Sequence, residues 1–443
     1  MLTPQERKAK VRSVVRVASG NFLEMYDFMV YGYYAKAIAT EFFPSQSEFA
    51  SLMAALATFG AGFLMRPLGA LILGAYIDHH GRRKGLIVTL ALMAIGTLSI
   101  AVVPGYAVFG IVAPLLVLLG RLLQGFSAGV ELGGVSVYLS EIATPGRKGF
   151  YTSWQSGSQQ VAVVFAASLG ALLNQYVSGP HMTAWGWRIP LLIGCVIIPF
   201  VLLVRLLVRR SLVETDDFLE RKQRKRHPSP MEIFRSTMTS WRVVLTGVML
   251  VTMTTVSFYT ITAYTPTFGQ QVLKMTPNDS YVVTLFVGLT NLLWLPISGA
   301  LSDRVGRRPI LVACAMLALV TAYPAMSWLV GAPSFGRLLE VELWLSFLYG
   351  CWNGAMIPFL IEIMPAEVRT SGFSLAYSLA TAIFGGFTPM IATWLIHATG
   401  NKAMPGVWLS FAALCGLLAT LVTVSLAHEG SVEPEPAPSS VVA

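Results

Sequence analysis

Twelve stretches of about twenty predominantly apolar residues recur along the chain, each long enough to cross a ~30 Å hydrocarbon core as an α-helix. Few folds survive that constraint. In lipid every backbone polar group must find its partner inside the protein, so only helices or closed barrels span a membrane, and apolar runs of this length are helical. The spans lie at 17–40, 50–77, 86–104, 109–140, 153–177, 188–209, 242–268, 279–302, 309–331, 337–364, 372–397 and 406–427. Only 12% of the 443 residues are charged, about half the usual share in soluble domains, and no segment is left over for a large soluble domain. The N-terminal MLTPQERKAKVRSVVR is basic and runs straight into a full span without a small-residue cleavage site, which reads as an uncleaved first helix.

Lysine and arginine set the orientation. With the N-terminus inside, the inner side collects Arg7, Lys8, Lys10, Arg12, Arg16, Arg82, Arg83, Lys84, Arg147, Lys148, Arg304, Arg307, Arg308 and Arg369, while the outer loops hold little beyond Lys274 and Lys402. Both termini are then cytoplasmic. The formal net charge of +9 is mostly this topology signal, so no nucleic-acid partner is expected. The four cysteines, Cys195, Cys314, Cys351 and Cys415, fall inside spans without close spacing and read as packing residues.

The chain is a doubled unit. GAYIDHHGRRK (74–84) follows the second span and GALSDRVGRRP (299–309) the eighth, matching at both glycines, the alanine, the aspartate and both arginines. A looser correspondence joins YLSEIATPGRKG (138–149) to FLIEIMPAEVRTSG (359–372). The division is a six-helix half at 1–209, a cytoplasmic linker at 210–241, a second half at 242–427 and a disordered tail at 428–443. Parallel repeats of this kind, with a site between the halves near the midplane, are a transporter architecture. Topology alone explains the arginines of the repeated loops but not the matched acids. Asp78, Arg82, Arg83, Glu141, Asp303, Arg307, Arg308 and Glu362 are therefore candidate gating residues, able to pair in one conformation and part in another. His79 and His80 stand where the second copy has Arg304 and Val305, and read as solvated loop residues.

Both loops resemble the signature of the major facilitator superfamily. Within it, GNFLEMYDF, FLMRPLGALILGAYID, GRLLQGFSAGVELGGVSVYLSEIATPGRKGFYTSWQ, WGWRIP and LATAIFGGFTP resemble the metabolite:proton symporter family over nearly the whole chain. GVELGGVSVYLSEIATPG with YTSWQSGSQQ is most similar to bacterial citrate–proton symporters. The resemblance implies uptake of citrate or a similar tricarboxylate into the cytoplasm, driven by the proton gradient across a bacterial inner membrane.

Charges in the spans carry the chemistry, because an ionisable side chain in the bilayer core is costly unless paired, protonated or wetted. Glu24 and Asp27 lie roughly 12 to 17 Å into the first span at ~1.5 Å per residue. With Asn21 and Tyr31 they share an arc of one helix. Burial raises a carboxyl pKa and a nearby arginine lowers it, so such groups can load and release a proton; Glu24 and Asp27 are the leading proton-site candidates, with Glu131 beside them. The alternative is a buried acid that pairs and never titrates. On the fourth span Arg121, Gln124, Ala128 and Glu131 share a face, and Arg121 is the foremost candidate for a substrate carboxylate, because a guanidinium is a permanently charged planar fork. An internal salt bridge to Glu131, Glu24 or Asp27 is its other reading.

Gly125, Gly129 and Gly133 on the same span form a close-packing series. Arg66, followed by Pro67, either binds substrate or balances Glu24 or Asp27. Arg188 lies nearer the outer boundary. In the second half deep charges are scarce, and the polar candidates are Tyr259, Tyr264, Asn291, Trp294, Tyr349 and Asn353. Gln155, Gln159 and Gln160 could complete an anion pocket.

The sequence contains no metal cage, nucleotide loop or nucleophilic triad, so neither an enzyme nor a cofactor is implied. The expected partners are a small organic anion, protons and the lipid bilayer, for a monomer. Symport of an organic anion competes with proton-coupled export of a metabolite or drug. Deep arginines favour the anion, since a cationic or apolar drug would leave them uncompensated. The alternatives to citrate are tricarballylate, a dicarboxylate, and a shikimate-like or aromatic acid.

Overall fold

The structure is a computed structural model that describes residues 4–80, 82–129, 131–197, 241–364 and 369–429, which are helical almost throughout. The first half contains α1 (Pro4–Tyr33), α2 (Ala35–Phe42), α3 (Glu48–His80), α4 (Arg82–Val102), α5 (Val112–Ala128), α6 (Glu131–Glu141), α7 (Lys148–Tyr176) and α8 (Arg188–Ile197). The second contains α9 (Trp241–Val272), α10 (Pro277–Val305), α11 (Arg307–Gly331), α12 (Phe335–Ile363), α13 (Arg369–Thr399) and α14 (Met404–Glu429). Since α1 with α2, and α5 with α6, each complete one span, these helices account for the twelve expected. The linker expected at 210–241 and the tail expected at 428–443 fall, apart from Trp241 and His428–Glu429, outside the described residues.

The helices are inside-out relative to a soluble bundle. Along α10, Leu289, Leu293, Ile297 and Leu301 repeat every four residues and are exposed, while Ser280, Thr284, Asn291, Ser298 and Ser302 are buried. Such an apolar stripe would drive aggregation in water; against acyl chains it is the favourable surface.

Glycine sets the approach of α3 to α5. A Cβ on Gly62 would stand 2.9 Å from the carbonyl oxygen of Arg121, and one on Gly125 would collide with the Gly62 carbonyl. Gly69 meets the Phe126 carbonyl and Gly129 the Arg66 carbonyl in the same way. The two backbones touch along more than two turns, which fixes Arg66 and Arg121 relative to each other.

Glycines set the approach at three of the helix pairs that join the halves. Gly32 on α1 packs on Ala263 of α9, Gly60 on α3 packs on Phe387 of α13, and Gly149 on α7 packs on Gly299 of α10. The inner end closes where Asp303 accepts hydrogen bonds from the backbone N–H groups of Gly149 (2.8 Å) and Phe150 (3.0 Å). At the outer end Tyr281 donates to the Tyr33 carbonyl at 3.4 Å, and Thr267 to the Gly32 carbonyl at 3.4 Å. Both ends are therefore shut. Next to this outer contact α9 is wound into π-helical turns at Thr260–Tyr264 and Phe268–Val272, on either side of Thr265 and Pro266. Such wide turns inside an α-helix often mark functional positions.

Candidate functional site

Glu24 and Arg66 meet between α1 and α3, with Glu24 Oε1 2.8 Å from Arg66 Nη2 and the two side chains only 5% and 2% exposed. Of the two readings left open for Arg66, the structure places it against Glu24. The pairing does not exhaust it, because its Nε–H is buried without an acceptor among the described residues. The guanidinium also lies 4.5 Å from the ring centre of Phe63 and 4.9 Å from that of Phe28.

Arg121 reaches an acid indirectly. Its Nη1 donates to Gln124 Oε1 at 2.7 Å, Gln124 Nε2 donates to Thr97 Oγ1 at 2.9 Å, and Thr97 Oγ1 lies 2.5 Å from Asp27 Oδ2 and 2.9 Å from the Met93 carbonyl. The direction of this chain follows from donor chemistry. Arginine has no acceptor, so the glutamine oxygen must face it and the amide nitrogen must face Thr97. Thr97 thus accepts from Gln124, and its single hydrogen goes either to Asp27 or to Met93. An ionised Asp27 takes it; a protonated Asp27 donates to Thr97 instead, and the hydroxyl turns to Met93.

Asp27 is 2% exposed. Its other oxygen faces α8, where a Cβ on Gly194 would stand 2.8 Å from Oδ1. Tyr26 donates to the Pro190 carbonyl at 2.7 Å and holds α1 against α8 there.

Aromatic rings wall off the cations. Arg121 lies over Phe28 (4.4 Å), Tyr31 (4.5 Å) and Phe59 (5.1 Å), so Phe28 is shared by both guanidinium groups. Tyr31, expected at the substrate, supplies one wall and donates its hydroxyl to the Ala55 carbonyl at 3.2 Å. Arg121 also carries a buried Nε–H without an acceptor among the described residues. Two deep cations thus keep spare donors, although buried polar groups are rarely left unpaired. Arg66 and Gln159 share a small cavity with Thr254, Thr255, Tyr259 and Tyr377 of the second half. Its ≈ 10 Å³ of free space is close to the minimum for one water, so any larger ligand needs the halves to part.

The other expected residues form a polar seam. Asn353 donates to Ser156 at 2.7 Å and approaches the Tyr349 hydroxyl at 3.4 Å, Asn291 donates to Gln160 at 3.2 Å, and Ser156 donates to Gln155 at 2.8 Å. Asn21 is buried, and neither atom of its amide has a hydrogen-bond partner among the described residues. Arg188 bonds Glu41 at 3.2 Å and the Val103 carbonyl at 3.1 Å, at the outer margin of the first half.

In the inner cluster Arg307 pairs with Asp303 at 2.7 Å and with Glu362 at 3.3 Å, while Arg308 donates to the Thr423 carbonyl at 3.4 Å. Glu141 is exposed at the end of α6. The side chains of Asp78, Arg82, Arg83 and Glu131 lie outside the described residues.

Two buried polar side chains escaped the reading of the sequence. Thr97 is one threonine in an apolar helix, indistinguishable there from any other. Glu342 on α12 is 4% exposed and qualifies the expectation that deep charges are scarce in the second half; it stands seven residues from the outer end of its helix, close to the boundary where a charge is ordinary.

The sequence profile of the family described as "Sugar (and other) transporter" matches residues 13–431. The chain is 60% identical over 412 residues to a citrate-proton symporter of Klebsiella pneumoniae, covering 93% of this chain and 91% of that one. It is 58% identical over 423 residues to a citrate-proton symporter of Salmonella typhi, covering 96% of each. The crystal structure of a D-xylose-proton symporter superposes with a TM-score of 0.71 at 19% identity, over 92% of this chain and 95% of the other, which establishes the shared fold.

Proposed function

The chain belongs to the sugar (and other) transporter family within the major facilitator fold, and from its likeness to two citrate-proton symporters we propose that it imports citrate, or a closely similar tricarboxylate, together with protons. It is a multi-pass protein of the bacterial inner membrane and not an enzyme. The observation that carries the coupling is the hydrogen-bonded chain from Arg121 through Gln124 and Thr97 to Asp27.

With Asp27 ionised, every donor in the chain points from the cation to the anion, and Arg121 has its counter-charge two residues away. A proton arriving on Asp27 removes that charge and turns the Thr97 hydroxyl to Met93. Arg121 is left uncompensated in a region of low dielectric, where the attraction for an incoming carboxylate is strongest. Substrate and proton thus enter together because neither the loaded acid nor the free cation is favourable alone.

Arg66 supplies the second cationic contact through its unpaired donors while Glu24 holds it in place. Gln159, Tyr259 and Tyr377 complete the site with neutral hydrogen-bonding groups. Asn21, Gln155, Tyr349 and Asn353 extend it toward the polar seam. When the inner contacts of Asp303, Arg307 and Glu362 open, Asp27 meets cytoplasmic water, loses its proton and restores the internal counter-charge, so that the anion leaves. Asp78, Arg82, Arg83 and Glu141 take the corresponding gating role in the first half, and Glu131 adds an acid on the Arg121 face.

The test is uptake of radiolabelled citrate into proteoliposomes under an inside-alkaline gradient. Accumulation that collapses with a protonophore supports the reading. Gradient-independent equilibration, or no citrate flux from intact protein, overturns it.

A further inference from the structure

We propose that Glu342 is a second proton-carrying carboxyl of the transport cycle, in the half of the molecule opposite Asp27. The inference rests on the proton-coupled reading above. Thr265 donates to Glu342 Oε1 at 2.9 Å, and Oε2 is buried without a hydrogen-bond partner among the described residues. No ion pair to Glu342 exists among the described residues. The titratable groups in the outer part of the surrounding helices are the phenols Tyr264 on α9, Tyr281 on α10, Tyr323 on α11 and Tyr349 on α12, together with Glu340, an exposed carboxyl two residues before Glu342 on α12. The charged groups of these helices lie at their ends, with Arg337 bonded to the Trp328 carbonyl at 2.9 Å and Arg307 in the inner cluster. On α13 they are Arg369 and His397, again at the two ends. An ionised carboxylate in this place would have one hydrogen bond and no counter-charge, whereas the neutral acid avoids that burden.

Position gives the carboxyl a way to exchange its proton. Thr265 sits between the two π-helical turns of α9 with its hydroxyl also 3.2 Å from the Thr260 carbonyl, so its one hydrogen goes to an ionised Glu342, whereas a protonated Glu342 donates to Thr265 and the hydroxyl turns to Thr260. Two residues further on, Thr267 makes the α1 contact that shuts the outer end. Movement of this segment away from α1 exposes Glu342 to the outside. Along α12, Ser346, Tyr349 and Asn353 follow at offsets of four, seven and eleven, all on one face and all buried, with Ser346 Oγ lacking a partner among the described residues. That row leads from Glu342 to the polar seam, which the inward-open state wets. One proton binds the carboxylate from the outer water when α9 is displaced, and the same proton leaves along this row to the cytoplasm.

The experiment is a reversal-point measurement in proteoliposomes, in which citrate and pH gradients are opposed until net flux stops, for wild type, Glu342→Gln and Glu342→Asp. The glutamine variant is expected to exchange citrate with one proton fewer per cycle, so that accumulation at a pH difference of one unit falls about tenfold. The aspartate variant is expected to restore the wild-type ratio. A wild-type reversal point in Glu342→Gln overturns the proposal and leaves the coupling at Asp27 intact, whereas absence of any pH-driven flux in wild type overturns the coupled reading itself. Should Glu342→Gln fail to insert, carbodiimide labelling of Glu342 in the wild-type protein decides. Labelling that falls as external pH rises and changes when citrate is added supports a titrating carboxyl, and labelling that is absent or invariant across the pH series sinks it.

Discussion

Asp27 and Arg121 are joined through two neutral side chains: a threonine and a glutamine stand between them and pass hydrogen bonds in one direction, from guanidinium to carboxylate. A direct salt bridge would hold both charges in one geometry. The relayed contact leaves the proposed protonation change at Asp27 free of any movement of Arg121.

Asp27→Asn removes the titrating group and keeps the volume. Wild-type uptake is expected to rise as external pH falls, because loading requires the protonated acid. The variant is expected to lose the proton that Asp27 carries, so that accumulation at a pH difference of one unit falls about tenfold and the pH profile becomes shallower, while citrate exchange at equal pH persists. Initial rates across an external pH series, with exchange measured in parallel, check both parts.

Thr97→Val deletes one hydroxyl and leaves Gln124 without its acceptor. Hydrogen bonds to charged groups contribute about 1.5–3 kcal/mol, so proton-driven uptake is expected to fall roughly 10- to 100-fold. Thr97→Ser is expected to remain near wild type. Transport by both variants, normalised to protein in the membrane, gives the comparison.

Breaking the Glu24 and Arg66 pair from one side leaves a buried charge alone, which costs about 3–5 kcal/mol. Glu24→Gln is therefore expected to lower the melting temperature in detergent. The double variant Glu24→Gln with Arg66→Gln should recover part of that loss, yet fail to bind citrate. Thermal melting with and without citrate separates the two effects.

Gly299→Ala places a methyl against the Gly149 carbonyl, where the halves close at the inner end. The variant is expected to favour the inward-open state, raising thiol labelling of an introduced Ser153→Cys from the cytoplasmic side. Asp303→Asn, which weakens the charged acceptor for Gly149 and Phe150, is expected to shift labelling in the same direction by a smaller amount.

Much of this was legible in the chain itself. Apolar run length specified the spans, and the repeat of Asp78 with Arg82 at Asp303 with Arg307 exposed the doubling. Helical spacing alone put Glu24 with Asp27, and Arg121 with Gln124, on common faces. The partners were not legible, because they come from helices distant in sequence. Nothing local indicates that Thr97 reaches Asp27, that Arg66 takes Glu24 in preference to Asp27, or that Phe28 serves both cations. Glu342 was hidden by its nearness to a helix end, where distance from the boundary says little about burial among neighbours.

The backbone contact between α3 and α5 has a thermodynamic consequence. Gly62, Gly69, Gly125 and Gly129 bring carbonyls and Cα atoms together so closely that the two helices form one strut, and Arg66 and Arg121 are carried on it as a pair. On the proposed reading, a cationic pair that keeps its shape while its exposure changes meets the anion alike from either side of the membrane. The sense of transport is then dictated by the proton gradient, and an inverted gradient is expected to run the protein as an exporter.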